Sequence, residues 1–141
     1  MQGPKEKQKK GQKAVKIITA MLLFSISVFA RHVNHESYYQ RAFCEKVHGQ
    51  LEYRLDDGTR VDCLTKTYAF EVDFGHKAFE SVGQALYYAM MTGKRPGIVL
   101  IRETRRDDRY IGRIKPLAEK YGIYLFVIDK NLSVRSLPKH K

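Results

Sequence analysis

The spacing of hydrophobic and polar positions predicts eight regular elements between residues 35 and 128. Helical spacing covers residues 35–48, 76–92 and 107–121. Alternating or continuous apolar runs typical of strands cover residues 50–55, 59–64, 67–74, 97–101 and 123–128. The last dozen residues are polar and basic, and they fit either an edge strand or a tail. The resulting order of elements predicts an α/β fold with a mixed central sheet flanked by helices.

Glycine and turn residues mark the ends of the predicted elements. Gly49 fits the position after the first helix, and Gly93 with Pro96 ends the second. Asp57 and Gly58 form a tight-turn signal between the first two strands. The two runs over residues 97–101 and 123–128 are apolar throughout, which indicates strands buried on both faces.

The third strand separates apolar from acidic side chains. One face carries Tyr68, Phe70, Val72 and Phe74, and the other carries Ala69, Glu71 and Asp73.

The first helix has an apolar stripe of Tyr39, Phe43 and Val47. Glu36 points along this stripe and is expected to reach the sheet. Glu45 lies on the opposite side and is expected to be solvated.

The second helix has a polar stripe in which Lys77, Gln84 and Tyr88 fall within roughly 40° of one another. The opposite side carries Phe79, Val82, Leu86, Ala89 and Met90. On the simplest interpretation, the polar stripe is the solvated face and the apolar side is buried.

Residues 1–16 are Lys-rich, and residues 17–30 form an uncharged run that ends in Val28-Phe29-Ala30. This pattern predicts a signal peptide or membrane anchor over residues 1–30, followed by a single domain over residues 31–141. The protein would then be exported (periplasmic or secreted) or anchored, with membrane contact only through an uncleaved segment. The alternative is an ordinary buried helix or a mis-assigned start, and a cytoplasmic protein.

The composition narrows the classes of site and fold. With 43% hydrophobic and 29% charged residues, the chain is neither disordered throughout nor collagen-like. Cys44 and Cys63 exclude a four-cysteine zinc site, and in an oxidising compartment they would form one disulfide. Otherwise they are two buried free thiols. The scattered histidines argue against a zinc site, and the lack of a Gly-rich phosphate loop argues against a kinase or motor.

The formal net charge is +11, of which residues 1–30 contribute +5 and the rest of the chain +6. The domain is therefore basic enough to favour a polyanion such as nucleic acid. The candidates for holding a nucleic-acid backbone are Arg54, Arg60, Lys94 and Arg95. Each of them is equally explained as surface charge.

Acidic side chains interrupt the central strands. Asp62 lies between Val61 and Cys63, and Glu71 and Asp73 share one side of the third strand. Carboxylates on a central sheet cost free energy unless they are paired, hydrogen-bonded or bound to a metal. Several of them at strand ends make a hard oxygen site that suits Mg²⁺ or Mn²⁺. The alternative is that the third strand's acids line a solvated face and Asp62 caps a turn.

Three motifs follow one another on the predicted elements: GTRVD (58–62), FEVD (70–73) and QxxxY (84–88). The combination resembles the PD-(D/E)XK, or restriction-endonuclease-like, nuclease superfamily, in particular its branch with QxxxY on the helix after the catalytic strands. The resemblance covers residues 36–101, about half of the chain. It implies an α-β-β-β-α-β core.

The resemblance also implies an activity: Mg²⁺- or Mn²⁺-dependent hydrolysis of phosphodiester bonds, with nucleic acid, DNA in the first instance, as the partner and no small-molecule cofactor. Asp62 and Glu71 would be the metal ligands, and Glu36 the acid that the first helix often contributes. Gln84 and Tyr88 would be the pair that positions the substrate or the active site.

One position departs from the family pattern, because Asp73 stands where a lysine is usual. Some members carry that lysine on the neighbouring helix, so we take Lys77 as the migrated lysine and Asp73 as an assisting acid. Lys77 would orient or deprotonate the attacking water, or offset charge on the phosphate oxygens. The alternatives are a degraded nuclease fold that binds nucleic acid without cleaving it, and a secreted basic protein with another partner and a purely structural acidic cluster.

Overall fold

The computed structural model describes residues 32–137, which contain three helices and six strands. The helices are α1 (Glu36–Lys46), α2 (Ala78–Thr92) and α3 (Asp108–Lys120). The strands are β1 (Gln50–Arg54), β2 (Arg60–Leu64), β3 (Tyr68–Phe74), β4 (Arg95–Arg102), β5 (Tyr124–Asp129) and β6 (Val134–Ser136). Short 3₁₀ turns, Gly75–Lys77 and Arg105–Asp107, precede α2 and α3.

The predicted signal or anchor segment, residues 1–30, lies outside the described residues. None of the helices in residues 32–137 has the length and apolar character needed to span a membrane.

The six strands form one mixed sheet in the order β1-β2-β3-β4-β5-β6. The pairs β3–β4 and β4–β5 are parallel, and the other three pairs are antiparallel. Helices flank this sheet, so the predicted α/β class with a mixed sheet is confirmed. Of the two alternatives for the C-terminal residues, the structure has the edge strand, β6.

The helices cover opposite faces of the sheet. On one face, Phe43 of α1 packs edge-on against Phe70 of β3, with ring centroids 5.0 Å apart. On the other face, Ile114 of α3 packs with Ile98 in β4. The next residue of β4, Val99, belongs to the α1 side. This burial on both faces explains why β4 is apolar throughout.

Helix α2 approaches the sheet through small side chains. Its buried residues are Ala78, Ser81, Ala85, Tyr88 and Ala89. Phe79 is 58% exposed and Met90 70% exposed, so the expectation that both lie on a buried apolar side is wrong. The helix is rotated so that its alanines, which occupy little space, face the strands.

Helix α1 ends at Lys46, and His48 rather than Gly49 adopts the left-handed conformation, with φ of 52°. Gly49 is needed for another reason: a Cβ there would lie 2.4 Å from Cys63 Sγ. Cys44 and Cys63 form a disulfide that ties α1 to β2. Of the two cysteine states that the sequence left open, the structure has the bonded one. The two cysteines are 19 positions apart in the sequence. A disulfide that closes a loop of about this length stabilises a fold by about 3 kcal/mol.

Strands β3, β4 and β5 run parallel, so their carboxyl-terminal ends meet at one edge of the sheet. We call this the carboxyl edge, formed by Phe74, Arg102 and Asp129. The two 3₁₀ turns follow β3 and β4 at this edge. In open α/β sheets, ligands bind preferentially at this edge.

Candidate functional site: an acidic cluster at the carboxyl edge

Four carboxyl groups and one amine, which contacts two of them, lie close together near the end of β3. The residues are Glu36, Asp62, Glu71, Asp73 and Lys77, and we call them the acidic cluster. The sequence predicted all five as site residues, and the fold brings them together from α1, β2, β3 and the turn that follows β3.

Asp62 lies where β2 and β3 separate. Backbone pairing of the two strands includes Cys63 with Phe70 and does not continue to Asp62. Instead, Asp62 Oδ2 accepts a hydrogen bond of 2.8 Å from the backbone N–H of Val72. The side chain thus replaces a backbone acceptor and holds the strands apart. Asp62 therefore does not cap a turn, which was the alternative left by the sequence.

Glu71 is buried beside Asp62 and lacks a full set of partners. It is 5% exposed, and within residues 32–137 its Oε2 is the buried side-chain oxygen without a hydrogen-bond partner. Burial raises the pKa of Glu71, and the negative charges of Asp62 and Asp73 raise it further, to about 9. A buried polar atom without a partner costs free energy, so this oxygen points to a missing donor or cation.

Asp73 is 3% exposed, so it does not line a solvated face. Its Oδ1 accepts the backbone N–H of Phe74 at 2.8 Å and lies 3.2 Å from Lys77 Nζ. Its Oδ2 is 3.5 Å from Ser81 Oγ. Lys77 Nζ also donates to Glu36 Oε2 at 3.1 Å. The amine of Lys77 therefore bridges the acid of β3 and the acid of α1.

The cluster holds more acid than base. Burial, followed by the neighbouring negative charge, raises the pKa of Asp62 and of Asp73 to about 7. Burial lowers the pKa of Lys77, but the hydrogen bonds to Glu36 and Asp73 outweigh it, so the pKa is raised overall. The lysine stays protonated, and the carboxyl groups compete for too little positive charge.

Tyr88 and Gln84 lie on the Glu71 side of the cluster. Tyr88 is 7% exposed; burial and the nearby charge of Glu71 raise the pKa of its hydroxyl. A hydrogen bond with Gln84 opposes that increase in pKa. The amide of Gln84 therefore lies next to the hydroxyl of Tyr88. Gln84 is otherwise exposed. The fold thus brings both residues of the QxxxY pair to the cluster, one buried and one accessible.

Sequence reasoning missed three supporting residues, Gln40, Glu52 and Ser81. Gln40 is 6% exposed, and its Nε2 donates to Asp62 Oδ1 at 3.1 Å and to Glu52 Oε1. Glu52 also pairs with Arg60 at 3.0 Å. The sequence did contain a signal for Gln40: it is a polar residue on the apolar stripe of α1, four positions after Glu36. Glu52 has a φ of 54° inside β1, and no local pattern signals that conformation.

Two of the four predicted backbone-binding residues, Lys94 and Arg95, lie away from the cluster. The parallel register puts Arg95 five residues, or about 17 Å, from the level of Asp73 along the strands. Lys94 precedes Arg95, and it lines a cavity of about 390 Å³ together with Arg54. Lys94 and Arg95 therefore lie at the opposite end of the sheet, whereas Arg54 pairs in the strand register with Arg60.

The described part of the chain, residues 32–137, contains no group of three or more His, Cys, Asp or Glu side chains spaced to hold a metal ion. Asp62 and Glu71, which the sequence named as metal ligands, adjoin each other in the cluster.

Comparison with protein-family models, with curated proteins and with solved structures finds no match to this chain.

Proposed function

We propose that this protein is a metal-dependent nuclease with a restriction-endonuclease-like core, and that it hydrolyses DNA phosphodiester bonds at the acidic cluster. The observation that carries the proposal is the Glu71 carboxyl, which is buried between Asp62 and Asp73 with one oxygen unpartnered among residues 32–137. Such a group is costly in a purely structural role. It becomes favourable where a cation supplies the compensating charge.

The chemistry of the donors suits a hard divalent cation. Asp62 and Glu71 would hold Mg²⁺ or Mn²⁺ through carboxylate oxygens, which are the ligands these ions prefer. Mg²⁺ in phosphoryl-transfer sites is commonly held by one or two carboxylates, with water and substrate phosphate completing its shell, so two protein ligands suffice. When bound, such an ion polarises the scissile phosphate and stabilises the leaving oxygen.

Lys77 acts as a cation and hydrogen-bond donor. Its raised pKa keeps the amine protonated at neutral pH, which favours orientation of the attacking water or stabilisation of phosphate charge over proton abstraction. Asp73 and Glu36 fix the position of the amine, at 3.2 and 3.1 Å. In this proposal Lys77 is the migrated lysine, and Asp73 positions it.

The order of elements gives further support. The sequence α1-β1-β2-β3-α2-β4 matches the α-β-β-β-α-β core that the resemblance implies. The Cys44–Cys63 disulfide favours an oxidising compartment, in agreement with export directed by residues 1–30.

The second candidate is a nuclease-fold module that binds nucleic acid without cleaving it. Asp73 favours this candidate, because it occupies the usual lysine position and its carboxylate, with that of Glu36, takes two of the three N–H donors of Lys77. The two candidates differ in whether the remaining donor acts on a bound phosphate.

The test is cleavage of linear, nicked and branched DNA, and of RNA, by the full 141-residue chain at low salt in Mg²⁺, Mn²⁺ or EDTA. We expect cleavage that requires metal. Glu71→Gln should slow it about 1,000-fold, because it removes a metal ligand. Lys77→Gln should slow it about 100-fold. Glu80→Gln, a change of an exposed glutamate on α2, is the matched control and should cleave at the wild-type rate.

The outcomes separate the candidates. Metal-dependent cleavage that survives in Glu71→Gln would remove the acidic cluster from the mechanism. Wild-type protein that binds DNA in Mg²⁺ without cutting it would favour the second candidate.

A further inference from the structure

An exposed arginine-rich surface lies on the second 3₁₀ turn and the N-terminal half of α3. We call Arg106, Arg109 and Arg113 the arginine face. All three are exposed. Within residues 32–137 none of them forms an ion pair.

The neighbouring acids do not neutralise this face. Asp107 Oδ2 accepts the backbone N–H groups of Glu103 and Thr104, at 3.1 and 2.8 Å. Asp108 pairs with the guanidinium of Arg102, an arginine outside the face. Both carboxylates are thus engaged locally, and neither forms an ion pair with an arginine of the face.

Tyr110 connects the arginine face to the acidic cluster. Tyr110 and Arg113 stand three positions apart on α3, so they lie on one side of the helix. Tyr110 packs on Gly75, where an added Cβ would lie 3.1 Å from the ring. Gly75 begins the turn that ends at Lys77. The side of α3 that carries Arg113 therefore borders the loop that supplies the cluster's lysine.

Arg109 completes the surface from the adjoining side of α3. Its guanidinium lies 4.5 Å from the centroid of the Tyr110 ring and donates a hydrogen bond of 2.6 Å to the tyrosine hydroxyl. These contacts hold the guanidinium in place while the residue remains exposed.

We infer that the arginine face binds the phosphate backbone of a nucleic-acid strand and leads it over the Gly75–Lys77 turn to the acidic cluster. Guanidinium groups bind phosphate through two parallel N–H donors, and such contacts position a strand without reading its sequence. The direction toward the cluster rests on the proposed nuclease function. Binding by the face does not require cleavage.

The composition of the face favours nucleic acid over a lipid surface. A helix that lies on a membrane carries large apolar side chains beside its basic residues. Among the described residues, the large exposed hydrophobic side chains are Val33, Tyr38, Phe79, Met90, Met91 and Tyr121. None of these lies within α3, and Tyr121 follows its C-terminal end.

The test measures affinity of the full chain for fluorescein-labelled 20-nucleotide single strands and duplexes, by anisotropy in EDTA. The variant is Arg106→Gln/Arg109→Gln/Arg113→Gln. The control is Arg41→Gln/Lys46→Gln/Lys66→Gln, which makes the same change in net charge at exposed residues of α1 and of the turn between β2 and β3. The Lys-rich residues 1–16 are the same in every protein, so the difference between variants isolates the face.

We expect the arginine-face variant to bind duplex at least about tenfold more weakly near 0.1 M salt, with the slope of log affinity against log salt reduced by about 2 to 3. The control should stay within about twofold of wild type. Thermal melting checks that both variants fold, which exposed substitutions normally permit.

Equal loss in the two variants would overturn the inference, since net charge alone would then explain binding. Unchanged DNA affinity in the arginine-face variant would also overturn it. So would unchanged DNA affinity accompanied by lost binding to phosphatidylcholine vesicles containing phosphatidylserine, because the face would then be a lipid surface. DNA binding that depends on the arginine face, without cleavage in Mg²⁺, would contradict the proposed nuclease function and support this inference.

Discussion

Two glutamates near the carboxyl edge, Glu103 and Glu71, have largely hidden side chains that are bonded in opposite ways. The side chain of Glu103, just after β4, is 8% exposed and accepts hydrogen bonds from Tyr39 Oη at 2.8 Å and Val33 N–H at 2.9 Å. The ring of His32 lies 3.0 Å from its other oxygen. Glu71, on β3, keeps one oxygen unpartnered among residues 32–137. We call Glu103 and its donors the Glu103 anchor.

The difference appears in their pKa values. Burial raises the pKa of Glu103, but the hydrogen bonds from Tyr39, His32 and two backbone N–H groups outweigh it, so the pKa lies below its usual value. Burial and negative neighbours raise the pKa of Glu71 to about 9. The supply of donors, together with the deeper burial of Glu71, therefore separates a structural carboxylate from a candidate site. The fold satisfies Glu103 and leaves Glu71 open to a ligand.

The largest expected effect is on the Glu103 anchor. Glu103→Ala removes the acceptor of several hydrogen bonds and leaves the Tyr39 hydroxyl without its partner, so the free energy of unfolding should fall by about 3 kcal/mol. Urea denaturation measures the loss. Glu80→Ala, on the exposed side of α2, is the control and should change stability by less than about 0.5 kcal/mol. A loss no larger than the control's would mean that Glu103 is not an anchor.

The second prediction concerns pH and has opposite signs in the two regions. Glu71, Asp62 and Asp73 have raised pKa values of about 9, 7 and 7, so the metal-free folded protein holds more protons than the unfolded chain between about pH 4 and 9. Stability contributed by these groups falls as the pH rises through that window. The lowered pKa of Glu103 contributes stability above its unfolded pKa, and this is lost as the pH falls through the folded value.

Thermal melting in EDTA from pH 5 to 9 tests whether the stability contributed by the acidic cluster falls as the pH rises. The melting temperature of wild type should decline toward pH 9. In Glu71→Gln the decline should be shallower, with the free energy of unfolding near pH 8 higher than wild type by about 2 kcal/mol, because a neutral isostere replaces a buried acid. A wild-type melting temperature that climbs toward pH 9 contradicts the assignment of raised pKa values to this cluster.

The smallest expected effect on stability is at Gln84, which is exposed beside the buried Tyr88. Gln84→Ala should change the free energy of unfolding by less than about 0.5 kcal/mol. Its effect should instead be on cleavage, slowed about tenfold if the amide positions the substrate. Chemical denaturation and single-turnover cleavage on the same preparation separate these effects. Normal cleavage by Gln84→Ala would leave the QxxxY pair without a functional role.

Periodicity was sufficient to predict the sheet and the position of its acids. The continuous apolar run in β4 reflects burial on both faces, and the alternation in β3 puts Glu71 and Asp73 on one side. Helical spacing also predicted that Lys77 shares the side of Gln84 and Tyr88. Each of these features depends on residues a few positions apart, so the local sequence is enough to predict it.

Features that depend on distant partners could not be predicted in this way. Glu103 is bonded to residues about seventy positions earlier in the chain, and nothing near it signals those donors. The exposure of Phe79 follows from how closely α2 packs on the sheet, which a helical wheel does not specify. Glu52 adopts its left-handed conformation where the β1 backbone passes Asp62.

The central claim is that the open carboxylate of Glu71 is a cation site, and calorimetric titration of the metal-free full chain with Mn²⁺ tests it most directly. We predict saturable binding near pH 7.5, with release of protons from the cluster, in wild type and in Glu103→Gln. Binding should be lost in Glu71→Gln. Undiminished Mn²⁺ binding by a folded Glu71→Gln protein, or no binding by wild type, would contradict the account.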